Sequence, residues 1–322
     1  MKKKRSFMEG PMLKFAYSLF SILPVSVASG LGGWLGRIIG PRLKMHRTAQ
    51  LNFAKALPEH PHMMIHKSIS GMWDNIGRTM AEYPHLRKIA LERTEIEGYQ
   101  HVKQALSEYR SIIFVGAHMA NWEVPLPACI LQKKLIVHPV YRAPNNPVAE
   151  KLLERARALH PKITFIPKSP TGVKLMMQQL KSRKHIGMLV DQKQNTGIPV
   201  PFFGHPAMTT QSFVQLAQKT GAAIIPVRCE RLPKARFRIT VYEEILTQRI
   251  KKGRGKNRGK EELVDKDAES VIREFHTLLE SWILENPKEW LWVHGRWDSS
   301  RLNDDDDDEE EEGFESSLDV TP

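Results

Sequence analysis

The residues best suited to chemistry lie in one short segment, GAHMANWE, at residues 116–123. His118 and Glu123 are five positions apart in it. On a uniform helix this spacing separates two side chains by about 140°, so they can meet only across a turn. An imidazole held at one nitrogen by a carboxylate acts as a general base near neutral pH. The spacing alone leaves both a catalytic histidine and an incidental loop histidine open.

The position of the segment favours the catalytic interpretation. It follows SIIFVG at residues 111–116, which has the apolar run of a buried strand. In open α/β sheets, ligand sites lie beyond the carboxyl ends of the strands. The small residues Gly116 and Ala117 allow a tight turn and close approach of a substrate. Since a helix cannot run through Pro127, the next helix should start near it.

The surrounding chain alternates between strand and helix patterns, with near-continuous apolar strands. Strands are predicted at 111–116, 135–140, 163–166, 186–190, 223–228 and 236–242, and helices at 42–56, 62–82, 98–109, 147–158, 171–182, 209–220 and 267–285. This alternation predicts an α/β fold with a mostly parallel central sheet flanked by helices.

The amino-terminal segment is predicted to anchor the chain to a membrane. Residues 15–36 carry no charge, and 22 residues of helix can cross about 30 Å of hydrocarbon. Pro24 and the glycines that follow also suit a helix lying in the membrane interface, and a buried helix stays open. We therefore predict a membrane-associated segment at 1–40, a catalytic domain at 41–302 and an acidic, disordered tail at 303–322.

Composition and charge narrow the class of protein. A hydrophobic fraction of 41% indicates a globular chain, and two cysteines exclude a disulfide scaffold. The tail holds eleven acidic residues, which leaves 48 basic against 25 acidic residues, or +23, in the remainder. Such a body suits a polyanionic partner: nucleic acid, an anionic membrane, or an acidic protein or substrate. The basic loop at 249–260 has no aromatic residue, which argues against single-stranded nucleic acid.

Motifs for the common nucleotide, dinucleotide, serine-hydrolase and zincin sites are missing from the sequence. Instead, GAHMANWE resembles the HX4E motif of the lysophospholipid acyltransferase superfamily. Four further segments narrow the resemblance to the late, lauroyl/myristoyl-type acyltransferases of lipid A biosynthesis in Gram-negative bacteria. These segments are VYRAPNNP (140–147), LVDQKQNTGIPVPFFGHPAMT (189–209), LAQKTGAAIIPV (216–227) and WLWVHGRWD (290–298). The resemblance covers about residues 12–300.

The resemblance implies a glycerolipid acyltransferase-like fold and an enzyme on the cytoplasmic face of the bacterial inner membrane. It implies transfer of a fatty acyl group from acyl carrier protein to a hydroxyl on an acyl chain of a lipid A precursor, with no metal and no cofactor. His118 would deprotonate the hydroxyl, and Glu123 would orient His118. No nucleic-acid partner is expected.

Four further residues are candidates for substrate contacts. Arg142 and Arg155 suit phosphate or transition-state contacts, although Arg155 also suits a plain helix surface. Asp191 ends a predicted strand and suits either the site or a loop cap. Arg296 is the remaining basic residue of a motif in which the family usually carries a basic pair and this chain has Gly295.

Two alternatives remain open. A related membrane acyltransferase could act on a lysophospholipid, a phosphatidylinositol mannoside or an ornithine lipid with the same His118 and Glu123. A basic, membrane-tethered nucleic-acid-binding protein would not need His118 at all.

Overall fold

The computed structural model describes residues 2–144, 146–157, 159–252 and 261–297. The acidic tail and residues 253–260 of the predicted basic loop lie outside these residues. The α-helices are α1 (Lys2–Ile22), α2 (Val25–Ile39), α3 (Met45–Ala56), α4 (His62–Glu82), α5 (Leu86–Glu92), α6 (Tyr99–Ser107), α7 (Pro125–Lys133), α8 (Pro147–Arg157), α9 (Pro170–Lys181), α10 (Ser212–Thr220) and α11 (Ala268–Glu285). The strands are β1 (Thr94–Glu97), β2 (Ile112–Gly116), β3 (Val137–Tyr141), β4 (Ile166–Pro167), β5 (His185–Leu189), β6 (Ile198–Phe202), β7 (His205–Thr209), β8 (Ala223–Leu232), β9 (Arg236–Val241), β10 (Gln248–Lys252) and β11 (Glu261–Asp265).

A seven-stranded sheet in the order β1-β9-β8-β2-β5-β3-β4 forms the centre. All its neighbouring strands run parallel except β8 and β9. That pair is antiparallel because a tight turn joins the two strands directly, and Lys234 and Ala235 take positive φ angles in it. The predicted α/β class with a mostly parallel sheet is confirmed.

Helices cover both faces of the sheet and form a hydrophobic core on each. The side chains of β2 alternate between these two cores. Ile113 and Val115 belong to the core that includes residues of α4 and α9 to α11. Ile112 belongs to the opposite core, with residues of α5, α6 and α7, and Phe114 packs against that core. Each central strand is therefore apolar on both faces, which explains the continuous apolar runs in the sequence.

Several elements were not predicted or begin at a different residue. The two-stranded hairpin β6–β7 contains prolines in both strands, which removes ladder donors and obscures the strand pattern. Phe203 and Gly204 take positive φ angles at its tip, as a two-residue hairpin turn requires. Helix α7 starts at Pro125, two residues before the expected Pro127.

The amino-terminal apolar stretch is divided between two helices. Pro24 has a non-helical backbone and caps α2, so residues 15–36 do not form one continuous rod. Within the described residues, none of the helices combines the length and apolarity needed to cross a bilayer. The spanning interpretation of this stretch is therefore not supported.

Helix α2 packs closely against α4 instead. A Cβ added to Gly36 would clash with the carbonyl oxygen of Trp73, so only glycine permits the backbones to approach this far. Large apolar side chains nevertheless remain exposed on the outer side of both amino-terminal helices: Phe15 by 70%, Ile22 by 79% and Trp34 by 51%. The region thus has a packed inner side and an apolar outer side.

Candidate active site

The site forms where the carboxyl ends of β2 and β5 meet. The two strands are parallel neighbours, and Gly116 is paired with Leu189. The backbone N–H of Val190 then donates to the carbonyl of Gly116 over 3.1 Å, so the two strands stay hydrogen-bonded to their carboxyl ends. This register brings His118, two positions after the end of β2, next to Asp191, two positions after the end of β5.

Asp191 holds the imidazole of His118. Its Oδ1 lies 2.8 Å from Nδ1 of His118, and its Oδ2 accepts the backbone N–H of His118 over 2.9 Å. The indole N–H of Trp290 also donates to Oδ2 over 2.9 Å. The carboxylate is therefore fixed by three N–H donors from two separate parts of the chain.

The electrostatics of Asp191 support an ionised carboxylate. Burial alone would raise its pKa, but the adjacent His118 and the hydrogen bonds from His118 and Trp290 outweigh burial and lower the pKa to about 2. An ionised carboxylate can only accept hydrogen bonds, so Nδ1 of His118 carries the proton. A neutral imidazole then has its lone pair on Nε2, which is the arrangement of a general base.

Glu123 contacts Arg157 rather than the imidazole. The guanidinium donates to both carboxylate oxygens over 2.8 and 2.6 Å, and the hydroxyl of Tyr83 donates over 3.0 Å. Desolvation, and next the neighbouring Glu123, raise the pKa of Tyr83 well above its usual value, so its hydroxyl stays a donor. This arrangement corrects the expectation that Glu123 would reach back to His118. The strand ends deliver Asp191 to that position, while Glu123 faces α8.

His118 and Glu123 both line one cavity of about 1300 Å³. One part of its wall is apolar and lies between the sheet and the helices α6 and α7. This part includes Ile96, Tyr99, Val102, Phe114, Leu126, Val227, Ile239 and Val241. The described lining also holds seven lysine and arginine side chains and a single acidic one, Glu123. The basic residues are Lys44, Lys55, Lys133, Arg142, Arg157, Lys168 and Lys193. The cavity therefore suits a ligand with both a long apolar part and an anionic part.

The predicted substrate-contacting arginines are placed differently from one another. Arg142 lines the cavity, as expected of a contact residue. Arg155 is exposed on α8 and lies outside the cavity lining. Arg157, two residues later on the same helix, lines the cavity and was not predicted.

Arg296 is a buried residue rather than part of the cavity wall. Its guanidinium donates to the carbonyl of Met208 over 2.8 Å and to the hydroxyl of Thr209 over 2.7 Å. Burial, which leaves the residue 1% exposed, lowers its pKa to about 10. Its observed contacts tie the carboxyl-terminal segment to the end of β7.

The carboxyl-terminal motif also supplies residues that sequence reasoning did not single out. Trp290 holds Asp191, and His294 lies with its ring 6.0 Å from that of His118. Nε2 of His294 also lies 2.8 Å from the side-chain amide of Gln192. These residues fall inside segments 189–209 and 290–298, which carry the family resemblance. The sequence therefore marked these segments but did not show which of their residues face the site. Within the described residues, no group of three or more His, Cys, Asp or Glu side chains is arranged to bind a metal ion.

Comparison with known proteins agrees with these features. The sequence profile of the bacterial lipid A biosynthesis acyltransferases matches residues 12–299. The lipid A biosynthesis lauroyltransferase of Escherichia coli (strain K12) is 24% identical over 284 residues, which cover 85% of this chain and 86% of that protein. The lipid A biosynthesis palmitoleoyltransferase of the same strain is 23% identical over 292 residues, covering 88% of each chain. A lipid A biosynthesis acyltransferase of Haemophilus influenzae is 20% identical over 297 residues, covering 87% and 84%. Because the profile spans most of the chain, this protein belongs to the bacterial lipid A biosynthesis acyltransferase family.

Proposed function

We propose that the protein transfers a fatty acyl group from an acyl carrier protein thioester to a hydroxyl on an acyl chain of a lipid A precursor. The observation that carries the proposal is the His118–Asp191 pair, which opens into a cavity with both apolar and basic walls. A fatty acyl chain suits the apolar part, and the phosphates of a lipid A precursor suit the basic part. Acyl carrier protein is acidic, which suits the strongly basic body of the chain.

The chemistry follows from the tautomer that Asp191 selects. Nε2 of His118 accepts the proton of the acceptor hydroxyl as its oxygen attacks the thioester carbonyl carbon. Collapse of the tetrahedral intermediate forms the ester and breaks the carbon–sulfur bond, and the imidazolium returns its proton to the leaving thiolate. Asp191 stabilises the imidazolium throughout, because its carboxylate is held 2.8 Å from Nδ1.

Two basic side chains complete the proposed site. The oxyanion of the intermediate needs positively charged or N–H donors. Arg142 and Arg157 line the cavity and are our candidates for this role or for binding a phosphate. Glu123 then acts by fixing the direction of the Arg157 guanidinium, which it binds through both oxygens.

The exposed apolar side of α1 and α2 supports a place at the membrane surface. Large apolar side chains in water are unfavourable, and several of them are exposed on these two helices, which favours an interaction surface. We propose that these helices lie in the cytoplasmic interface of the inner membrane, where the acceptor is found. This corresponds to the interfacial alternative for residues 15–36.

The test is transfer by the purified protein with a panel of donors and acceptors. Acyl carrier protein and coenzyme A thioesters would be offered with a lipid A precursor and with a lysophospholipid. We expect transfer from the carrier-protein thioester to the lipid A precursor, and loss of about 10²–10⁴-fold in His118→Ala. His101→Ala, on α6, is the matched histidine control and should retain full activity. Preferential acylation of the lysophospholipid would overturn the acceptor assignment, and activity within threefold of wild type in His118→Ala would overturn the mechanism.

A further inference from the structure

A buried polar cluster lies behind the segment that carries His118. Its members come from α4, from β8, from the segment after β2 and from the turn after α11. They are Asn75, Thr79, Glu82, Asn121, Arg231 and Glu289. None of these six lines the cavity, so none is placed to contact a substrate. The cluster instead contacts the segment between His118 and Glu123 at two residues, Ala120 and its own member Asn121.

The first of these residues is Ala120, whose backbone conformation needs support. It is fully buried and has a φ angle of +49°, in the left-handed region that a residue with a Cβ rarely adopts. Its carbonyl accepts from the amide of Asn75 over 2.8 Å and from the hydroxyl of Thr79 over 3.2 Å. Its N–H donates to the carbonyl of Glu289 over 3.0 Å. Such a conformation persists only where its surroundings determine it, and here α4 and Glu289 do so.

The second residue is Asn121, which links the segment to a buried ion pair. Its amide donates to Oε2 of Glu82 over 2.8 Å, and its own Oδ1 accepts the backbone N–H of Glu123 over 3.1 Å. Glu82 is fully buried, and its other oxygen binds the guanidinium of Arg231. Arg231 spans the rest of the cluster, since it also donates to the side chains of Asn75 over 2.8 Å and Thr79 over 3.3 Å.

The same cluster reaches the opposite side of the catalytic pair. The backbone N–H of Arg231 donates to the carboxylate of Glu289 over 3.3 Å. The next residue after Glu289 is Trp290, whose indole holds Asp191. The N–H of Leu291 donates in turn to the carbonyl of His118 over 3.0 Å. Both members of the catalytic pair are thus attached to one buried framework.

We propose that Glu82 and Arg231 are positioning residues for the acyl transfer, acting on His118 through Asn121 and Ala120. This inference rests on the proposed function for the reaction it affects. The buried charge pair fixes the direction of the Asn121 amide and of the Asn75 and Thr79 side chains. These three side chains hold the backbone segment 119–122 that follows His118 and thereby direct Nε2 of His118 into the cavity. A small rotation of that segment would misalign the base with the acceptor hydroxyl and leave both binding surfaces intact.

The test exchanges donor and acceptor between positions 82 and 121. In Glu82→Gln the new NH2 group must face an N–H donor, either that of Asn121 or that of Arg231. In Asn121→Asp the new carboxylate faces the carboxylate of Glu82. Each single variant should lose about 10–100-fold in kcat, as expected for a small displacement of a catalytic group, with KM within threefold of wild type. The double variant restores the hydrogen bond in reverse, because the new amide at position 82 can donate to the new carboxylate at position 121 while its oxygen accepts from Arg231. We expect kcat to recover at least tenfold over either single variant.

A control variant and a substrate-free measurement separate positioning from general damage. Glu285→Gln removes the negative charge of the group that accepts from buried Arg228 over 2.6 Å, on the same strand as Arg231, and its kcat should stay within twofold of wild type. The imidazole NMR signal of His118, assigned by its loss in His118→Ala, should shift in each single variant and return in the double variant. Should Glu82→Gln fail to fold, Arg231→Lys keeps the buried charge and is compared instead.

The outcomes are distinct. Single variants with wild-type kcat and an unshifted His118 signal would overturn the inference, as would a double variant no better than the worse single variant. If the wild-type protein transfers no acyl group to any acceptor, the proposed function fails. The NMR comparison still decides whether the cluster positions His118.

Discussion

Replacing Asp191 by asparagine should abolish the base without changing the shape of the side chain. The carboxylate accepts three hydrogen bonds, two at Oδ2 from the backbone of His118 and from Trp290, and one at Oδ1 from Nδ1. Asparagine offers one oxygen and one NH2 group. Its oxygen will face the two donors, since the reverse orientation leaves two buried N–H groups unpaired. The NH2 group then faces Nδ1 of His118.

This orientation inverts the imidazole tautomer. An NH2 group facing Nδ1 requires Nδ1 to accept, so the proton moves to Nε2 and the lone pair is lost from the cavity. General base catalysis is typically worth about 10²–10⁴-fold in rate. We therefore expect kcat to fall by that factor, which corresponds to about 2.7–5.4 kcal/mol in the activation barrier. The KM values should change little, because Asp191 is buried away from the substrate.

The assay measures kcat and KM for acyl transfer together with thermal unfolding. Asp74→Asn is the matched control, since Asp74 binds Arg37 and Arg78 and does not line the cavity. It should keep kcat within twofold of wild type. If Asp191→Asn retained more than a third of the wild-type kcat with a folded structure, the assignment of Nε2 as the base would be refuted.

Three further predictions concern other parts of the protein. Arg157→Ala removes the guanidinium proposed to bind the oxyanion or a phosphate, and it leaves Glu123 without the charged group that donates to it over 2.6 Å, so kcat should fall at least tenfold. Arg155→Ala, on the exposed side of the same helix, should keep kcat within twofold of wild type, and equal losses in a steady-state assay would contradict this. Burial, and next a neighbouring guanidinium, lower the pKa of His276 to about 3, so the folded protein keeps this imidazole neutral while the unfolded chain binds a proton below about pH 6.5; its contribution to stability is therefore complete above about pH 6.5 and is lost as pH falls toward 3. The free energy of unfolding should fall by up to about 1.4 kcal/mol per pH unit in that range, and His276→Gln should flatten this slope in denaturant titrations; an identical slope would refute the assignment. Phe15→Asp should weaken sedimentation with anionic lipid vesicles by about tenfold or more without changing thermal stability, since burying a phenylalanine is worth about 1.5–3 kcal/mol; unchanged partitioning would exclude this surface from membrane contact.

The fold class and the position of His118, the proposed base, could be predicted from the amino-acid sequence. Apolar strands alternating with amphipathic helices require a sheet with helices on both faces, because each central strand is apolar on both sides. His118 follows the apolar strand at 111–116, and ligand sites of such sheets lie beyond the carboxyl ends of strands. The family could also be recognised, since its segments keep their order along the chain. The acidic, disordered tail at 303–322 stays a prediction.

The partner of His118, in contrast, depends on the tertiary structure. Spacing along the chain pointed to Glu123, five residues away, whereas the observed partner Asp191 is 73 residues away. Its position depends on β5 lying beside β2 in parallel register, and the sequence does not state which strands are neighbours. Strand order is set by the packing of the whole sheet, which no local pattern of residues encodes.

The arginines differ for a similar reason. Arg155 and Arg157 are two positions apart on α8, which turns about 200° over that distance, so only one can face the cavity. The rotation between them follows from helix geometry, but the docking of α8 on the sheet decides the direction. Arg296 was likewise predicted to contact a substrate, yet it is 1% exposed and binds Met208 and Thr209, which come from a hairpin almost ninety residues earlier. Such contacts join residues that are distant along the chain, so they form only when the sheet, the helices and the hairpin pack together.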